Sequence, residues 1–164
     1  MIKNIRFLLN SVRIFLLQPI LCLCLFAGCI YLNFEHLGSV FRWNMSDSLP
    51  FSAFKSSPVK EIKKGMYVSI RHPKSNLNLA KQVVGSPGDK IQIIQNHVWV
   101  AGNDYGAILD KSRSGKPLKP ISIQTIPQDH FFVHATHPES FDSRYEEFGL
   151  IHQNQIREIL WPLF

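Results

Sequence analysis

An uncharged, apolar segment runs from Ile14 to Phe34 and constrains this chain more than any other feature. As a helix rising about 1.5 Å per residue it would reach roughly 30 Å, the thickness of the hydrocarbon core of a bilayer. Gln18 and Pro19 interrupt the run only near its start, where a proline is tolerated. We therefore expect a single transmembrane helix at residues 14–34.

The charges that flank this segment predict its orientation. Residues 1–13 carry three basic side chains and no acidic one, whereas residues 35–49 carry Arg42 against Glu35 and Asp47. The positive-inside rule then places residues 1–13 in the cytoplasm and residues 35–164 across the membrane, in the periplasm. At 164 residues the chain has room for one folded domain behind the anchor.

The three cysteines offer an alternative form of anchoring. Cys22, Cys24 and Cys29 all lie within the apolar segment, so residues 35–164 contain no disulfide. The run Phe26-Ala27-Gly28-Cys29 is similar to a lipoprotein cleavage box, which would exchange the transmembrane helix for a lipid on Cys29. Either form of anchoring ties the domain to a membrane.

Beyond residue 44 the pattern is one of short strands separated by turns, which predicts a mostly β domain. The segments that alternate or form apolar runs are Met66–Ile70, Lys90–Ile94, Val98–Val100 and Phe131–Val133. Ile156 and Leu160 indicate a last strand. Residues 105–120 are expected to form a long excursion, in which the polar stretch 111–116 is an exposed, mobile loop.

Residues 79–84 are typical of a strand that carries a lysine among apolar side chains. Alternation along the strand puts Lys81 on the same face as Leu79 and Val83. Burial disfavours the charged ammonium and lowers its pKa toward neutrality. A neutral lysine can act as the base that activates a serine hydroxyl, so Lys81 and a nearby serine are candidates for nucleophilic catalysis.

Three segments together resemble the conserved boxes of the type I signal peptidases. The first is Ser46–Pro50, which bears a serine. The second is Lys81–Asp89, which bears the lysine, and the third is Ser140–Tyr145, followed by Phe148 and Gly149. Within that family the chain is most similar to the TraF-type conjugative transfer signal peptidases. His134–His137 replaces the usual start of the third box, which also favours the TraF type.

The resemblance implies a role for several residues of the three boxes. It implies that Ser48 is the nucleophile, that Lys81 is the general base, and that the hydroxyl of Ser46 stabilises the oxyanion. It also implies that Ser140 hydrogen-bonds and orients the lysine. We interpret Asp142 and Arg144 as a structural ion pair that supports the site.

The resemblance further implies the fold and the substrate. The domain is expected to have a signal-peptidase-like antiparallel β fold, and the chain to cleave signal peptides from exported proteins. For the TraF type, a conjugative pilin precursor is the expected client. No cofactor is expected.

Other partners and site types find less support in the residues. His130, His134 and His137 lack a cysteine or close acidic partner that would complete a metal site, so we expect no metal. The net charge of +6 is not concentrated in a stripe of the kind that nucleic-acid binders use, so no nucleic acid is expected. A cluster of four lysines between residues 55 and 64 is interpreted as a solvated loop, with contact to membrane lipid as the alternative.

Two other classes of protein remain as alternatives. A non-catalytic, membrane-anchored scaffold of a conjugation or secretion apparatus could use the same fold, although it would not need both Ser48 and Lys81. A self-cleaving repressor of the LexA type would need a DNA-binding helix-turn-helix segment where this chain has residues 14–34. The sequence therefore favours the peptidase.

Overall fold

A computed structural model describes residues 18–31, 41–43, 48–72 and 78–164 of the protein. The chain divides into two compact units, Met1–Val40 and Phe41–Phe164. In the first unit residues 18–31 are helical and their side chains are exposed. Among the residues described, no helix has both the length and the apolar character that crossing a membrane requires. The remaining residues of the predicted span 14–34 lie outside the described part of the chain.

The second unit is built from β-strands, and every strand pairing in its described residues is antiparallel. The strands are β1 (Phe41–Trp43), β2 (Ala53–Pro58), β3 (Tyr67–Arg71), β4 (Asn78–Gly85), β5 (Ile91–Ile94), β6 (His97–Val100), β7 (Asn103–Ala107), β8 (His130–His134), β9 (Ile151–His152) and β10 (Ile156–Pro162), with a 3-10 helix at Gln153–Gln155. The described strands form a seven-stranded sheet in the order β1-β2-β10-β3-β4-β8-β9 and a three-stranded sheet in the order β5-β6-β7. The expectation of a mostly β domain is thus confirmed.

The core lies on both faces of the larger sheet because side chains alternate along its central strands. On β4 and β8, Val83 and Val133 pack into one apolar cluster together with Phe148. Their neighbours Val84 and Phe132 point the other way, into a second cluster that includes side chains of the smaller sheet. Lys81 lies on the first face, the one predicted from its spacing to Val83.

The smaller sheet is a meander with two tight turns. The predicted segments Lys90–Ile94 and Val98–Val100 form β5 and β6, which are joined by Gln95 and Asn96 with φ of 50° and 64°. β6 and β7 are joined by Ala101 and Gly102, with φ of 49° and 81°. Positive φ at both central residues matches the right-handed twist of the strands and makes a narrow hairpin.

One expectation about the chain between the boxes was wrong in part. Residues 105–107 are not loop, because they complete β7 against β6, and the excursion begins only at Ile108. The segment 111–116 is exposed as expected, apart from the half-buried Ser112, and forms a turn in which the Ser112 N–H donates to the Lys116 carbonyl at 2.8 Å. Strands β1, β2, β7 and β9 were not predicted.

Gly85, the last residue of β4, and Gly88, in the turn that follows, serve different purposes. Gly88 has a φ of 88°, a conformation that side chains disfavour, and so supplies backbone shape. Gly85 has no positive φ. A Cβ at Gly85 would lie 2.5 Å from Ile126 Cδ1 and 2.9 Å from Phe132 Cβ, so this glycine is required for the close packing of β4 on the second cluster.

We predict that Gly85→Ala destabilises the protein by about 1–3 kcal/mol, the usual cost of forcing a methyl group into a packed core. The measurement is urea unfolding of the full chain in detergent, compared with Gln82→Ala on the same strand, whose side chain is only partly buried. Equal stability of the two variants would contradict the packing role of Gly85.

Candidate active site

Lys81 is buried on β4, an interior strand of the larger sheet, with 3% of its surface exposed. Its cross-strand partner on β3 is Val68, and its Nζ lies 6.0 Å from the centre of the Phe148 ring. The Nζ donates a hydrogen bond of 2.7 Å to the Oγ of Ser140. The structure therefore brings together the lysine of the second box and the serine of the third.

Burial lowers the pKa of the Lys81 ammonium from 10.5 to about 8. The carboxylate of Asp142 acts in the opposite direction, and the guanidinium of Arg144 lowers the pKa further. Removal from water is the largest of these effects because the apolar cluster around the lysine cannot solvate an ammonium. A lysine with this pKa is partly neutral just above physiological pH, as a general base must be.

Asp142 and Arg144 form an ion pair that is completely buried, with exposures of 0% and 1%. The guanidinium is bidentate: its Nε donates to Oδ1 at 2.9 Å and its Nη2 to Oδ2 at 3.1 Å. The backbone N–H of Ala135, which follows β8, also donates to Oδ2. Burying two charges is costly unless their remaining hydrogen-bonding groups are also satisfied, and these contacts meet that condition.

Arg144 also holds the turn that carries Ser140. Its Nη2 donates to the carbonyl oxygens of Pro138 and Ser140 at 3.2 and 3.0 Å, and its Nη1 donates to the Ala107 carbonyl at the end of β7. The Ser140 N–H in turn donates to the carbonyl of His137. These bonds fix the backbone of Ser140 and hence the position of the hydroxyl that Lys81 contacts.

Ser48 lies at the start of a described segment and is half-buried. Its carbonyl oxygen accepts hydrogen bonds from Thr136 Oγ1 at 3.2 Å and from the His137 N–H at 3.4 Å. The turn 136–140 therefore connects Ser48, the serine of the first box, to Ser140. Ser46 lies outside the described residues.

His134 lies next to the site, beside Asp142, a location that the sequence did not predict. Its Nε2 lies 4.0 Å from Asp142 Oδ2, and its ring packs on Tyr105 with centroids 5.3 Å apart. Burial lowers the pKa of the His134 imidazole, against the attraction of Asp142. The replacement of the usual start of the third box by His134 was the only signal that could have identified it.

No metal centre is evident in the described part of the chain, where no three His, Cys, Asp or Glu side chains are grouped to hold an ion. A groove of about 710 Å³ lies along β5 and residues 121–125, and none of the predicted site residues lines it. A smaller cavity of about 90 Å³ is lined in part by Ser140. The buried lysine and its hydrogen bond, not cavity size, therefore locate the candidate active site.

Residues 13–159 match the signal peptidase family, peptidase S26. The chain belongs to this family. It is 32% identical over 88 residues to the conjugal transfer protein TraF of Agrobacterium tumefaciens (strain 15955), a match that covers 52% of this chain and 48% of that relative. The chain thus spans about half the length of this curated relative.

The fold is also similar to that of a solved structure, a signal peptidase I from Enterococcus faecalis V583. The match covers 62% of this chain and 97% of the Enterococcus chain, with a TM-score of 0.45 and 19% sequence identity. The family predicted from the three boxes is confirmed by the match over residues 13–159. The similarity to the TraF protein agrees with the narrower resemblance.

We predict that Asp142→Asn destabilises this peptidase by about 3–5 kcal/mol, because it leaves the charge of Arg144 buried without a partner. The measurement is the free energy of unfolding. The matched control is Glu61→Gln, which breaks an exposed pair with Lys63 and is expected to cost no more than about 1 kcal/mol. Similar losses in both variants would argue against the structural role of the buried pair.

We also predict that Lys81→Met removes a pH-dependent penalty on folding. The pKa of Lys81 is about 8 in the folded chain, against 10.5 in the unfolded chain. Between these two pH values the unfolded chain therefore binds more protons than the folded chain. The wild type becomes more stable as the pH rises through that window. The advantage of Lys81→Met over wild type should shrink by on the order of 3 kcal/mol between pH 7 and pH 10.5. Unfolding curves at both pH values test this.

The control for this linkage is Lys60→Met, which removes an exposed lysine. Its stability relative to wild type is expected to stay constant over the same window. A constant difference for Lys81→Met as well would mean that the lysine is not desolvated in the folded protein.

Proposed function

We propose that the protein is a membrane-anchored signal peptidase in which Ser48 is the nucleophile and Lys81 the general base, with a conjugative pilin precursor as its client. The observation that carries the proposal is the burial of Lys81 beside Phe148 of the first apolar cluster, with its Nζ bonded to Ser140 Oγ at 2.7 Å. An isolated surface lysine would remain charged and could not accept a proton. The similarity to a conjugal transfer protein supports the choice of client.

In the proposed mechanism, neutral Lys81 takes the proton of the Ser48 hydroxyl as the oxygen attacks the carbonyl carbon of the bond to be cleaved. The tetrahedral intermediate then collapses, the protonated lysine donates to the leaving amine, and an acyl-enzyme forms. Water activated by the lysine hydrolyses the acyl-enzyme. Ser140 keeps the Nζ in place, and Arg144 and Asp142 keep Ser140 in place.

The oxyanion of the intermediate needs donors that are in position before the reaction. The N–H of Ser48 and the hydroxyl of Ser46 are the proposed donors, the second by resemblance to the family. The loss of one such donor costs roughly 3–4 kcal/mol of transition-state stabilisation. No cofactor takes part in this scheme.

The proposed location follows from the sequence. Residues 14–34 would anchor the chain in the inner membrane, with residues 1–13 in the cytoplasm and the catalytic unit in the periplasm. Ser48 would then stay close to the bilayer surface, where the end of a signal peptide emerges. Membrane lipid is a partner in this arrangement.

We predict that the wild type removes the signal peptide of a co-expressed conjugative pilin precursor and that Ser48→Ala and Lys81→Ala do not. Loss of the general base alone should lower the rate by about 10²–10⁴-fold. The measurement is the mass of the N-terminus of the pilin. With purified protein, the rate should rise with pH through a value near 8, because only the neutral form of Lys81 accepts the proton.

The control is Lys60→Ala, which is expected to process the precursor like the wild type, and membrane insertion is checked for every variant. Undiminished cleavage by Ser48→Ala or Lys81→Ala would refute the assigned dyad. No cleavage by any form would favour another client or the scaffold function.

A further inference from the structure

The carboxylate of Asp142 has its acceptor positions filled by donors from the described part of the chain. Its Oδ1 accepts from the backbone N–H of Arg144 at 3.2 Å and from the Nε of the same residue at 2.9 Å. Its Oδ2 accepts from Arg144 Nη2 at 3.1 Å and from the Ala135 N–H at 3.3 Å. A carboxylate offers about four lone-pair sites in all, so these donors occupy them.

The side chain of His134 lies against this filled carboxylate. Its Nε2 is 4.0 Å from Asp142 Oδ2, which is too far for a hydrogen bond. The ring packs on Tyr105 of β7, with centroids 5.3 Å apart, and 13% of the side chain is exposed. The imidazole therefore lies between the smaller sheet and the ion pair, where little water reaches it.

The charged and titratable groups that face His134 come from β4, from β7 and from the third box. They are Lys81, Tyr105, Asp142 and Arg144. Burial lowers the pKa of the His134 imidazole; Asp142 opposes this, and Arg144 and Lys81 lower the pKa further. The neutral imidazole is therefore the form that fits the intact site.

Protonation would turn His134 into a competitor for the carboxylate. The imidazolium carries a full positive charge and an N–H on both nitrogens, whereas the neutral ring has only one N–H. The attraction of Asp142 would draw Nε2 toward Oδ2. Because the lone pairs of Oδ2 are already used, a new bond from His134 requires the loss of the bond from Ala135 or from Arg144.

The turn that carries Ser140 would respond to this loss through Arg144. The Nη2 that binds Oδ2 of the carboxylate also donates to the carbonyl oxygens of Pro138 and Ser140. A guanidinium displaced from Oδ2 would move these carbonyls with it. The Oγ of Ser140 would then leave its position 2.7 Å from the Nζ of Lys81.

We propose that His134 is a positioning residue of the active site: its neutral imidazole leaves the buried ion pair intact, and its protonation in acid breaks the contact between Ser140 and Lys81. The consequence for cleavage rests on the proposed function, because it takes Lys81 as the general base. The structural change does not, since it concerns only the contacts of His134 with the ion pair and of the ion pair with the turn.

The first measurement is an NMR titration of the full chain in detergent, from about pH 7.5 to about pH 4.5, a range that brackets the titration of histidine. The ring signals of His134 are assigned from their absence in His134→Gln. The backbone N–H signals of Ala135 and Ser140 report on Oδ2 and on the turn. We expect both N–H signals to shift with the midpoint at which His134 titrates, and to show no shift at that midpoint in His134→Gln.

The matched control is His130→Gln. Both histidines lie on β8 and are half-buried, and glutamine is a neutral polar side chain that does not titrate in this range. We expect the shifts of the Ala135 and Ser140 signals to persist in His130→Gln.

The second measurement is kcat/KM against pH for a peptide that spans the cleavage site of a pilin precursor. Below the pKa of Lys81 each pH unit lowers the rate about 10-fold in every form of the enzyme. Protonation of His134 adds a second loss in the wild type. The ratio of His134→Gln to wild type should therefore rise at least about 3-fold between pH 7.5 and pH 4.5. The ratio for His130→Gln should stay constant.

Titration of His134 without movement of the Ala135 and Ser140 signals would overturn the inference. Equal movement in His134→Gln, or no titration of His134 above the pH at which the chain unfolds, would also overturn it. If His134→Gln does not fold, the titration of the wild type against His130→Gln decides the question.

The two measurements separate this inference from the proposed function. Coupled signals in a wild type that cleaves no precursor would refute the proposed function and support the acid-induced change at His134. Coupled signals with a constant rate ratio for His134→Gln would refute the positioning role.

Discussion

The ion pair of Asp142 and Arg144 is the interaction on which the rest of the site depends. Both groups are removed from water, and their charges are tolerated only because nearly every donor and acceptor of the pair is used. The carboxylate accepts from the backbone after β8, and the guanidinium donates to the end of β7 and to the turn that carries Ser140. One buried pair thus joins the larger sheet, the smaller sheet and the turn.

The same pair sets the electrostatic surroundings of Lys81. A carboxylate alone would favour the ammonium, and a guanidinium alone would oppose it. Because the two charges lie together, their effects on the lysine oppose each other, and removal from water remains the largest influence on its pKa. The pair can therefore stabilise the turn without holding the lysine in its charged form, which the proposed role of Lys81 as a general base requires.

Much of the sheet could be predicted because its central strands are buried and alternate. Val83 and Val84 on β4 and Phe131 to Val133 on β8 are apolar in sequence and point to opposite faces in the structure. The strands that were missed lack this signal. β2 reads Ala-Phe-Lys-Ser-Ser-Pro, in which two apolar residues are followed by a polar run without alternation, and its extended form is stabilised by backbone pairing to β1 and β10. Residues 105–107 were assigned to a loop for a similar reason, since their strand exists only through pairing with β6.

The sequence by itself determined the family, the three boxes and the face of β4 on which Lys81 lies, because these depend on residue identity and on the two-residue period of a strand. Only the tertiary structure decided which groups meet. Ser140 lies 59 residues from Lys81 along the chain, and its contact with Nζ requires β3, β4 and β8 to pair in one register. The place of His134 beside Asp142 was decided in the same way. Local patterns specify which face a side chain takes, whereas contacts between distant segments arise from pairing and packing that no local pattern records.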